Sequence, residues 1–446
     1  MSSKPLRCTP REAAERLEPV DTLGIPLGPG QPPAFLRALG ERDDWQELRV
    51  FGAHLVELFA LFAKPGVQLR SGFFGPAERA LRAAGHDVVF IPADFRRFAR
   101  IARDFAPRVV ATSAAEPDDA GRLSLSLHAG ATVDEVRRAA EDPDRLLVVE
   151  TSPAYPRTHG VPPDHPHSIA LEDVDLWIPC DSDTSAPFAL NEAPPNAIQG
   201  AIAEHVASFI PPGATLQTGI GGVPSAVVEL LADGPAGDFG IHSELFTTGL
   251  MRLHEAGKVS NRKGVFDGLS VATFAMGSRE LYDWLDDRPG VGFAPVAVVN
   301  DPAIIARNRD LVSLNGALSV DLFGQLVADD FGAGQFSGIG GHEDFLAGAG
   351  RGERGRSLIC LPATASHAGE PVSRIVSRLP TGAMVTSPRH QVDVVVTEFG
   401  AAELAGRTVE ERAEALAEIA HPDWRDELMA DARALRQRGV LDPGLR

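Results

Sequence analysis

Cysteine is scarce in this chain of 446 residues, and long apolar runs are absent. Cys8, Cys180 and Cys360 share no metal-ligand spacing and are too few to cross-link a chain of this length. They predict packed thiols in a reducing cytoplasm, which is where we expect the protein. No stretch approaches the roughly eighteen apolar residues of a membrane span, and residues 1–10 carry no apolar signal-peptide core. We therefore expect a soluble intracellular protein without a membrane partner.

Lysine is also scarce, and acidic residues outnumber basic ones by 61 to 42. The formal net charge is −19 and only four residues are lysine, which argues against nucleic acid or an anionic membrane as the main partner. Two of the lysines, Lys258 and Lys263, lie close in sequence to Arg252 and Arg262. This basic group is as typical of a local anion-binding patch as of a solvated helix face, and both interpretations stay open here.

Several well-known catalytic motifs are missing. The chain has no Walker phosphate loop, no Gly-x-Ser-x-Gly nucleophile elbow and no His-Glu-x-x-His zinc site. His159, His165 and His167 cluster among prolines, but no acidic or cysteine partner accompanies them. We interpret this segment as a surface loop, and we predict no metal site.

The first half of the chain contains strand-like and helix-like segments in regular alternation. Such alternation predicts a mostly parallel sheet with helices on both faces, the α/β class. The length favours two domains, and the proline-rich stretch 181–196 is typical of a linker, so we place the domains at 1–190 and 191–446. The predicted strands are 49–53, 87–91, 108–112 and 146–150, and the predicted helices are 77–84, 95–105 and 133–141.

Glycine-rich turns recur along the chain. Gly-x-Gly-x-x-Pro occurs at 28–33 and again at 219–224, each time between a strand-like run and a helix-like run, which favours two halves of similar fold. A third glycine turn lies at 336–345. Backbone N–H groups of such turns can hold an anion at a helix start, although any one of them can equally be a tight turn alone. The proline in 219–224 makes a dinucleotide-binding loop a poor interpretation.

Further elements are predicted in the second half. Apolar spacing predicts a helix over 196–210 and two terminal helices over 409–438, broken at His421-Pro422. Apolar runs predict strands at 357–361, at 392–397 and at 296–299, the last ending at Asn300.

Glu244 lies within 240–249, an apolar, glycine-punctuated stretch that predicts a strand running into a tight turn. Most glutamates are solvated acids in loops, and this stretch taken alone favours that interpretation for Glu244. However, Glu244 follows the second glycine turn by about twenty residues, the spacing of one βαβ step. Successive loops of an open parallel sheet share its carboxyl edge, where ligands bind.

Six segments of the second half, taken together, resemble the acetyl-CoA hydrolase/transferase family, class I CoA-transferases such as 4-hydroxybutyrate CoA-transferase and succinyl-CoA:acetate CoA-transferase. The resemblance covers nearly the whole chain and is densest from residue 217 to residue 430. The matching segments are 219–221, 240–244, 300–302, 321–325, 337–345 and 392–398.

The resemblance implies two tandem open-sheet α/β domains of the CoA-transferase type (NagB/RpiA-like). It further implies an enzyme that moves CoA between an acyl-CoA and a small carboxylic acid, and we expect that acid to be acetate or another short-chain acid. Glu244 matches the nucleophile, which forms a glutamyl-CoA thioester in ping-pong kinetics, and Asn300 and Glu398 match polar positions that orient the substrate. The positions that match the two CoA-binding loops are Gly219, Ile220, Gly221, Gly222, Val223, Ser337 and Gly341.

The resemblance also implies that coenzyme A is a substrate rather than a bound cofactor, and that the protein is a homodimer. Two departures from the family pattern stand out. Thr247-Thr248-Gly249 replaces a common Ser-Asp-Gly, and a lysine expected shortly after 360–362 is missing, with Ser366-His367 in its place. An acyl-CoA hydrolase on the same scaffold and a non-catalytic CoA-binding protein are the alternative functions.

Overall fold

The computed structural model describes residues 5–330, 332 and 334–437. Strands and helices alternate through the first half. The strands are β1 (Leu6–Arg7), β2 (Val20–Leu27), β3 (Glu47–Ala53), β4 (Val67–Ser71), β5 (Val88–Phe90), β6 (Val109–Ala114), β7 (Arg122–Ser124), β8 (Leu146–Thr151), β9 (His159–Gly160), β10 (Ser168–Ala170) and β11 (Leu176–Pro179). The helices are α1 (Pro10–Ala14), α2 (Pro33–Gly40), α3 (Pro76–Ala83), α4 (Phe98–Phe105) and α5 (Val133–Glu141), with 3₁₀ turns at Gly28–Gly30, Ala60–Ala63, Phe95–Arg97 and Leu171–Asp173.

One large parallel sheet organises this half. Its strand order is β1-β11-β8-β6-β2-β3-β4-β5, and every neighbouring pair is parallel. Successive residues of β6 enter different apolar clusters, Val109 and Ala111 on one face and Val110 and Ala114 on the other. Both faces of the sheet are therefore covered, as the α/β prediction requires.

The second half contains a second open sheet. The strands of this half, which belong to the main sheet and to smaller ones, are β12 (Thr215–Gln217), β13 (Gly240–Ile241), β14 (Leu245–Phe246), β15 (Ser270–Ala272), β16 (Phe274–Ala275), β17 (Val291–Phe293), β18 (Leu311–Gly316), β19 (Ser319–Asp321), β20 (Leu326–Val327), β21 (Arg356–Cys360), β22 (Thr364–His367), β23 (Glu370–Ser373), β24 (Ile375–Val376), β25 (Val394–Thr397) and β26 (Gly400–Glu403). The main sheet has the order β13-β12-β18-β21-β25-β26 and is parallel except for β26. The α/β fold class predicted from the sequence is confirmed in both halves.

Helices of the second half are α6 (Ala197–Ala207), α7 (Gly222–Asp233), α8 (Thr248–Glu255), α9 (Arg279–Leu285), α10 (Val296–Val299), α11 (Pro302–Ile305), α12 (His342–Arg351), α13 (Val409–Glu418) and α14 (Pro422–Gln437). α6 begins at the N-cap Asn196, whose side chain forms a capping box with Gln199. The predicted end of the last helix, Arg438, lies outside the described residues. None of the helices that the model describes is long and apolar enough to cross a membrane.

Two predictions of local structure are wrong. Val296–Val299 is the helix α10 and not a strand, because the N–H groups of Val299 and Asn300 donate to the carbonyls of Pro295 and Val296. Its β-branched residues favour strands, but tertiary context overrides that preference. The histidine segment is not simply a surface loop either, since His159 belongs to β9 and His167 is buried against Phe293.

The two halves share backbone pairing. β9 of the first half pairs with β17 of the second, and the Ala129 N–H donates to the Thr273 carbonyl at 2.9 Å. Residues 181–196, the predicted linker, contain neither helix nor strand. The boundary at residue 190 stays a prediction.

Both main sheets direct their carboxyl ends at one cavity. In the first sheet the strand order reverses beside β2, because β3 and β6 leave on opposite sides of it. In the second sheet the strand order reverses beside β12, because β13 and β18 lie on opposite sides of it. Ligands of open α/β sheets bind at such switch points. Residues at the ends of these strands line the cavity: Leu27, Ala53, Gln217, Asn315 and Gly316.

Candidate functional site

Glu244 lies between two short strands that hold its backbone in place. β13 ends at Ile241 and β14 begins at Leu245. The Glu244 carbonyl accepts a hydrogen bond from the Thr273 N–H at 2.9 Å. The predicted strand and turn are thus present, and the residue is partly exposed rather than fully solvated.

Asn300 fixes the Glu244 carboxylate. The Asn300 side-chain amide Nδ2 donates to Glu244 Oε2 at 2.7 Å and to Asp344 Oδ2 at 3.0 Å. Both partners are acceptors, so only the NH₂ group of the amide can face them. Asn300 is fully buried as the C-cap of α10, and this is why the helical turn at 296–299 matters for the site.

Asp344 connects this pair to the first half of the chain. It is completely buried in the first turn of α12, where the helix dipole favours a negative charge. Arg96 donates to it twice, from the guanidinium to Oδ1 and from the backbone N–H to Oδ2 at 3.1 Å. The neighbouring Phe95 N–H donates to the Gly340 carbonyl at 3.0 Å. A 3₁₀ turn of the first half is therefore attached to the glycine turn that faces Glu244.

The carboxyl groups of Glu244 and Asp344 hold their protons more tightly than ordinary carboxyl groups do. Burial, with the nearby Asp344 charge, raises the pKa of Glu244 to about 8, while the Asn300 amide and the Gly341 N–H act in the opposite direction. Burial also raises the pKa of Asp344 to about 6, against the lowering effects of Asn300 and Arg96. The ionised Glu244 is a poorly solvated anion, which favours nucleophilic attack.

Gly341 approaches Glu244 closely. A Cβ atom at this position would lie 2.0 Å from Glu244 Oε2 and 2.3 Å from Asn300 Nδ2, distances that real Cβ atoms do not adopt. Its φ of −90° is open to any residue, so the glycine is required by the space alone. The adjacent Gly340 has a φ of +54°, a left-handed conformation that favours glycine.

A cavity of about 300 Å³ opens beside Glu244. Its walls come from both halves of the chain and are mostly apolar. Among the predicted site residues, Glu244, Gly219, Ile220 and Gly341 line it. The apolar part of the wall contains Ile25, Leu27, Phe51, Phe73, Phe95, Phe98, Leu245, Phe274, Met276, Ile339 and Phe345.

The glycine turn at 219–224 is open on its outer side. Gly219 and Gly221 have no neighbouring heavy atom within 4 Å of where a Cβ would be, and Ile220 is 42% exposed. Gly221 takes a φ of +122° as the N-cap of α7. Gly222 differs, because a Cβ there would overlap the Gln199 side chain. Val223 lies in the first turn of α7 and packs against the main core of the second half.

Ser337 and Glu398 lie apart from the Glu244–Asn300 pair. The Ser337 N–H donates to the Asp329 carbonyl at 3.0 Å. Glu398 accepts a hydrogen bond from the Ala363 N–H at 2.8 Å. Neither residue is among the described residues that line the cavity. Ser366 and His367, which occupy the place of the expected lysine, belong to an antiparallel hairpin of β22 and β23.

The basic group after Glu244 does not form an anion patch. Arg252 and Arg262 form ion pairs with Glu229 and Asp238. Lys263 is not solvated either: it is fully buried, and its ammonium donates to the carbonyls of Phe266 and Leu269 at 2.5 and 2.7 Å. The anion-patch interpretation is therefore wrong, and the helix-face interpretation fails for Lys263.

Two residues of the site, Asp344 and Arg96, were not predicted from the sequence. Asp344 had a local signal, since it is a carboxylate in the first helical turn after a glycine turn. Arg96 had none, because it lies 248 residues from Asp344 in the chain. Within the described ranges, no group of three or more histidine, cysteine, aspartate or glutamate residues could hold a metal ion.

Comparison with known proteins agrees with this geometry. Residues 277–432 match the model of the acetyl-CoA hydrolase/transferase C-terminal domain. The chain is 36% identical over 436 residues to a succinyl-CoA:cyclohexane-1-carboxylate CoA transferase of Geobacter metallireducens, covering 96% of this chain and 95% of that protein. It is 40% identical over 317 residues to a 4-hydroxybutyrate coenzyme A transferase of Clostridium kluyveri, covering 70% of each.

A solved structure extends the likeness to three dimensions. The crystal structure of RipA from Yersinia pestis superposes with a TM-score of 0.85 at 32% identity, covering 96% of this chain and 97% of that one. Sequence identity at this level over nearly the full length shows that the chain shares a family with these proteins. The chain belongs to the acetyl-CoA hydrolase/transferase family and is an enzyme of this CoA-transferase group.

Proposed function

We propose that this enzyme transfers CoA from an acyl-CoA to a carboxylic acid through a thioester on Glu244. The observation that carries the proposal is the Glu244 carboxylate itself. It lies in the wall of an apolar cavity, and a buried amide and a backbone N–H hold it in a fixed orientation. A carboxylate held in this way is available to attack an electrophilic carbonyl that is bound in the cavity.

The first step is attack by a Glu244 oxygen on the thioester carbonyl carbon. The C–S bond breaks, CoA leaves as a thiolate, and an acyl-glutamyl anhydride forms. The thiolate then attacks the Glu244 carbonyl carbon of the anhydride. This releases the first acid as a carboxylate and leaves a glutamyl-CoA thioester.

The second acid reverses these steps. Its carboxylate attacks the glutamyl-CoA thioester and releases the thiolate, which then attacks the acyl carbonyl of the new anhydride. The products are the new acyl-CoA and free Glu244. A thioester or an anhydride is present at every stage, so the reaction needs no ATP.

Asn300 and Gly341 position the nucleophile in this scheme. Holding the carboxylate in one orientation converts a random encounter into a defined approach, which is a major source of rate enhancement. As the carboxylate becomes an anhydride it loses its charge, and the Gly341 N–H is then placed to donate to an oxyanion developing nearby. Glu398, away from the cavity wall, is assigned to substrate orientation by resemblance only.

The open glycine turn at 219–224 is our candidate for the CoA chain. Gly219 and Ile220 form part of the cavity wall, and the free space beside Gly219 allows a ligand backbone to pass closely. Ser337 belongs to the turn that precedes α12, but its own contacts give it no direct route to the cavity.

Hydrolysis is the competing outcome on the same scaffold, because water can attack either intermediate. The apolar walls disfavour it by restricting water near Glu244. That the enzyme is a homodimer, that it resides in the cytoplasm and that CoA is not permanently bound all stay predictions.

The proposal is tested by trapping the thioester. Enzyme is incubated with an acyl-CoA, treated with borohydride and assayed for remaining transfer activity, while mass spectrometry examines the peptide that contains Glu244. We expect inactivation only after incubation with acyl-CoA, with the Glu244 carboxyl reduced to a primary alcohol. Glu244→Gln enzyme is the control and should show no reduction. Equal inactivation with and without acyl-CoA contradicts the mechanism.

A further inference from the structure

We propose that the acids this enzyme uses are monocarboxylic acids with an uncharged, apolar tail, and that dicarboxylic acids are rejected. The inference rests on the proposed function, because it assumes that the cavity beside Glu244 holds the acyl group. It is carried by the composition of the cavity wall, in which aromatic and aliphatic side chains surround a single carboxylate.

The apolar part of the cavity forms where the two halves meet. Phe51, Phe95 and Phe98 of the first half pack in one cluster with Phe274 and Met276 of the second. Each of these five side chains is at most 7% exposed and lines the cavity. Three polar wall residues, Gln217, Thr218 and Asn315, lie at the edge of the second sheet near the open glycine turn, and the first half adds Thr132, His54 and His128. The cavity thus has a polar side suited to the CoA chain and a mostly apolar, uncharged side suited to an acyl tail.

None of the described residues that line this cavity could act as a counter-ion for a second carboxylate. Among the described lining residues none is lysine or arginine, and Glu244 is the only acidic one. Arg96 lies behind the wall and is already paired with Asp94 and Asp344. An acid with a carboxylate at the far end of its tail would bury that charge without a cationic partner among the described lining residues.

The histidines in the wall cannot supply the missing positive charge. Burial lowers the pKa of His54 and of His342 to about 4 and that of His128 to about 3, so all three imidazoles are neutral near pH 7. His128 is 3% exposed, and its Nε2 has no hydrogen-bond partner among the described residues. Neutral imidazoles are compatible with an uncharged tail, and they do not offset the charge of a buried carboxylate as a cation would.

The cavity volume bears on the size of the tail. At about 300 Å³ it lies at the lower end of the range for small-molecule sites, and the thiol end of CoA takes part of this space. The cavity therefore suits the tail of a small acid better than a long chain.

Matched pairs of acids test the proposal in the wild-type enzyme. Butanoate is compared with succinate and hexanoate with adipate, each pair having the same number of carbons. The donor is acetyl-CoA, and formation of the new acyl-CoA is followed by chromatography. We expect kcat/KM to be at least about a hundredfold lower for each dicarboxylate, because the cost of burying an unpaired carboxylate is several kcal/mol.

A substitution in the wall tests where the tail lies. Ala131 lines the cavity and is 7% exposed, so Ala131→Leu places three more carbons in it. Transfer from acetyl-CoA to acetate is followed as the incorporation of radiolabelled acetate into acetyl-CoA, and we expect the ratio of kcat/KM for hexanoate to that for acetate to fall at least about tenfold. Ala120→Leu, at an exposed turn outside the cavity, is the matched control and should leave this ratio unchanged. Melting curves establish that each variant is folded.

The outcomes separate the two proposals. Transfer to succinate and adipate as efficient as to butanoate and hexanoate overturns this inference and leaves the thioester mechanism intact. A hexanoate-to-acetate ratio that is the same in folded Ala131→Leu and wild-type enzyme also overturns it. Absence of transfer to every acid, with acyl-CoA hydrolysis alone, refutes the proposed function itself.

Discussion

Replacing Gly341 with alanine adds one methyl group at the most crowded point of the site. The new Cβ would lie 2.0 Å from Glu244 Oε2 and 2.3 Å from Asn300 Nδ2, against a practical minimum of 3.0 Å. The Glu244 carboxylate, the Asn300 amide or the turn must therefore move by about an ångström. Because a displacement of about 1 Å at a reacting group can lower the rate about a hundredfold, we expect kcat to fall by about that factor.

The same change should have little effect on folding. Gly341 has a φ of −90°, which alanine adopts without strain, and the crowded atoms belong to side chains at the edge of a cavity. We expect the KM for acyl-CoA to change less than kcat, because the added methyl group meets Glu244 and Asn300 rather than the open turn at 219–224. Initial rates over a range of acyl-CoA concentrations, together with a melting curve, measure both effects.

Gly350→Ala is the matched control. Gly350 lies in the same helix, α12, and no heavy atom lies within 4 Å of the position of its Cβ. Alanine there should raise stability by about 1 kcal/mol through helix propensity and leave kcat unchanged. If Gly341→Ala keeps wild-type kcat, the close approach to Glu244 has no role in catalysis. If it loses stability and activity together while Gly350→Ala is normal, the turn is structural.

Three further outcomes follow from the same cluster. Asp344→Asn should lower kcat roughly tenfold, because Asn300 loses one of its two carboxylate partners and is held less firmly. The same substitution should move the acidic limb of the kcat/KM profile to lower pH, because the Asp344 charge raises the pKa of Glu244. Glu343→Gln is the control and should leave that limb in place. An unshifted limb in Asp344→Asn contradicts the coupling. Native Glu244 holds its proton up to pH about 8 and the unfolded chain releases it near 4.5, so this group destabilises the native state increasingly as pH rises between those values. Glu244→Gln should therefore raise the melting temperature by a margin that grows from pH 5 to about pH 8, and a constant margin contradicts this. Glu244→Asp should lose about a hundredfold in kcat because its oxygen is withdrawn by roughly an ångström; near-normal turnover would exclude Glu244 as the nucleophile.

The sequence was sufficient to predict the α/β class, the family and the position of Glu244 in the fold. Periodicity and glycine turns are local properties, so strands such as β8 and helices such as α5 appear in the structure where the pattern places them. The predicted strand at 296–299 failed for the opposite reason. Its apolar, β-branched residues fit a strand locally, and only packing against the rest of the chain makes them a helical turn.

The composition of the site was decided by tertiary structure. Asn300 meets Glu244 across 56 residues of chain, and Arg96 meets Asp344 across 248, distances over which no sequence pattern carries a signal. For the same reason the sequence predicted a surface cation at Lys263, whereas its ammonium is buried and donates to two backbone carbonyls. The sequence determined which segments form strands, helices and turns, because those depend on near neighbours. Which charges are paired, and how large and apolar the cavity is, depended on how the two sheets face each other.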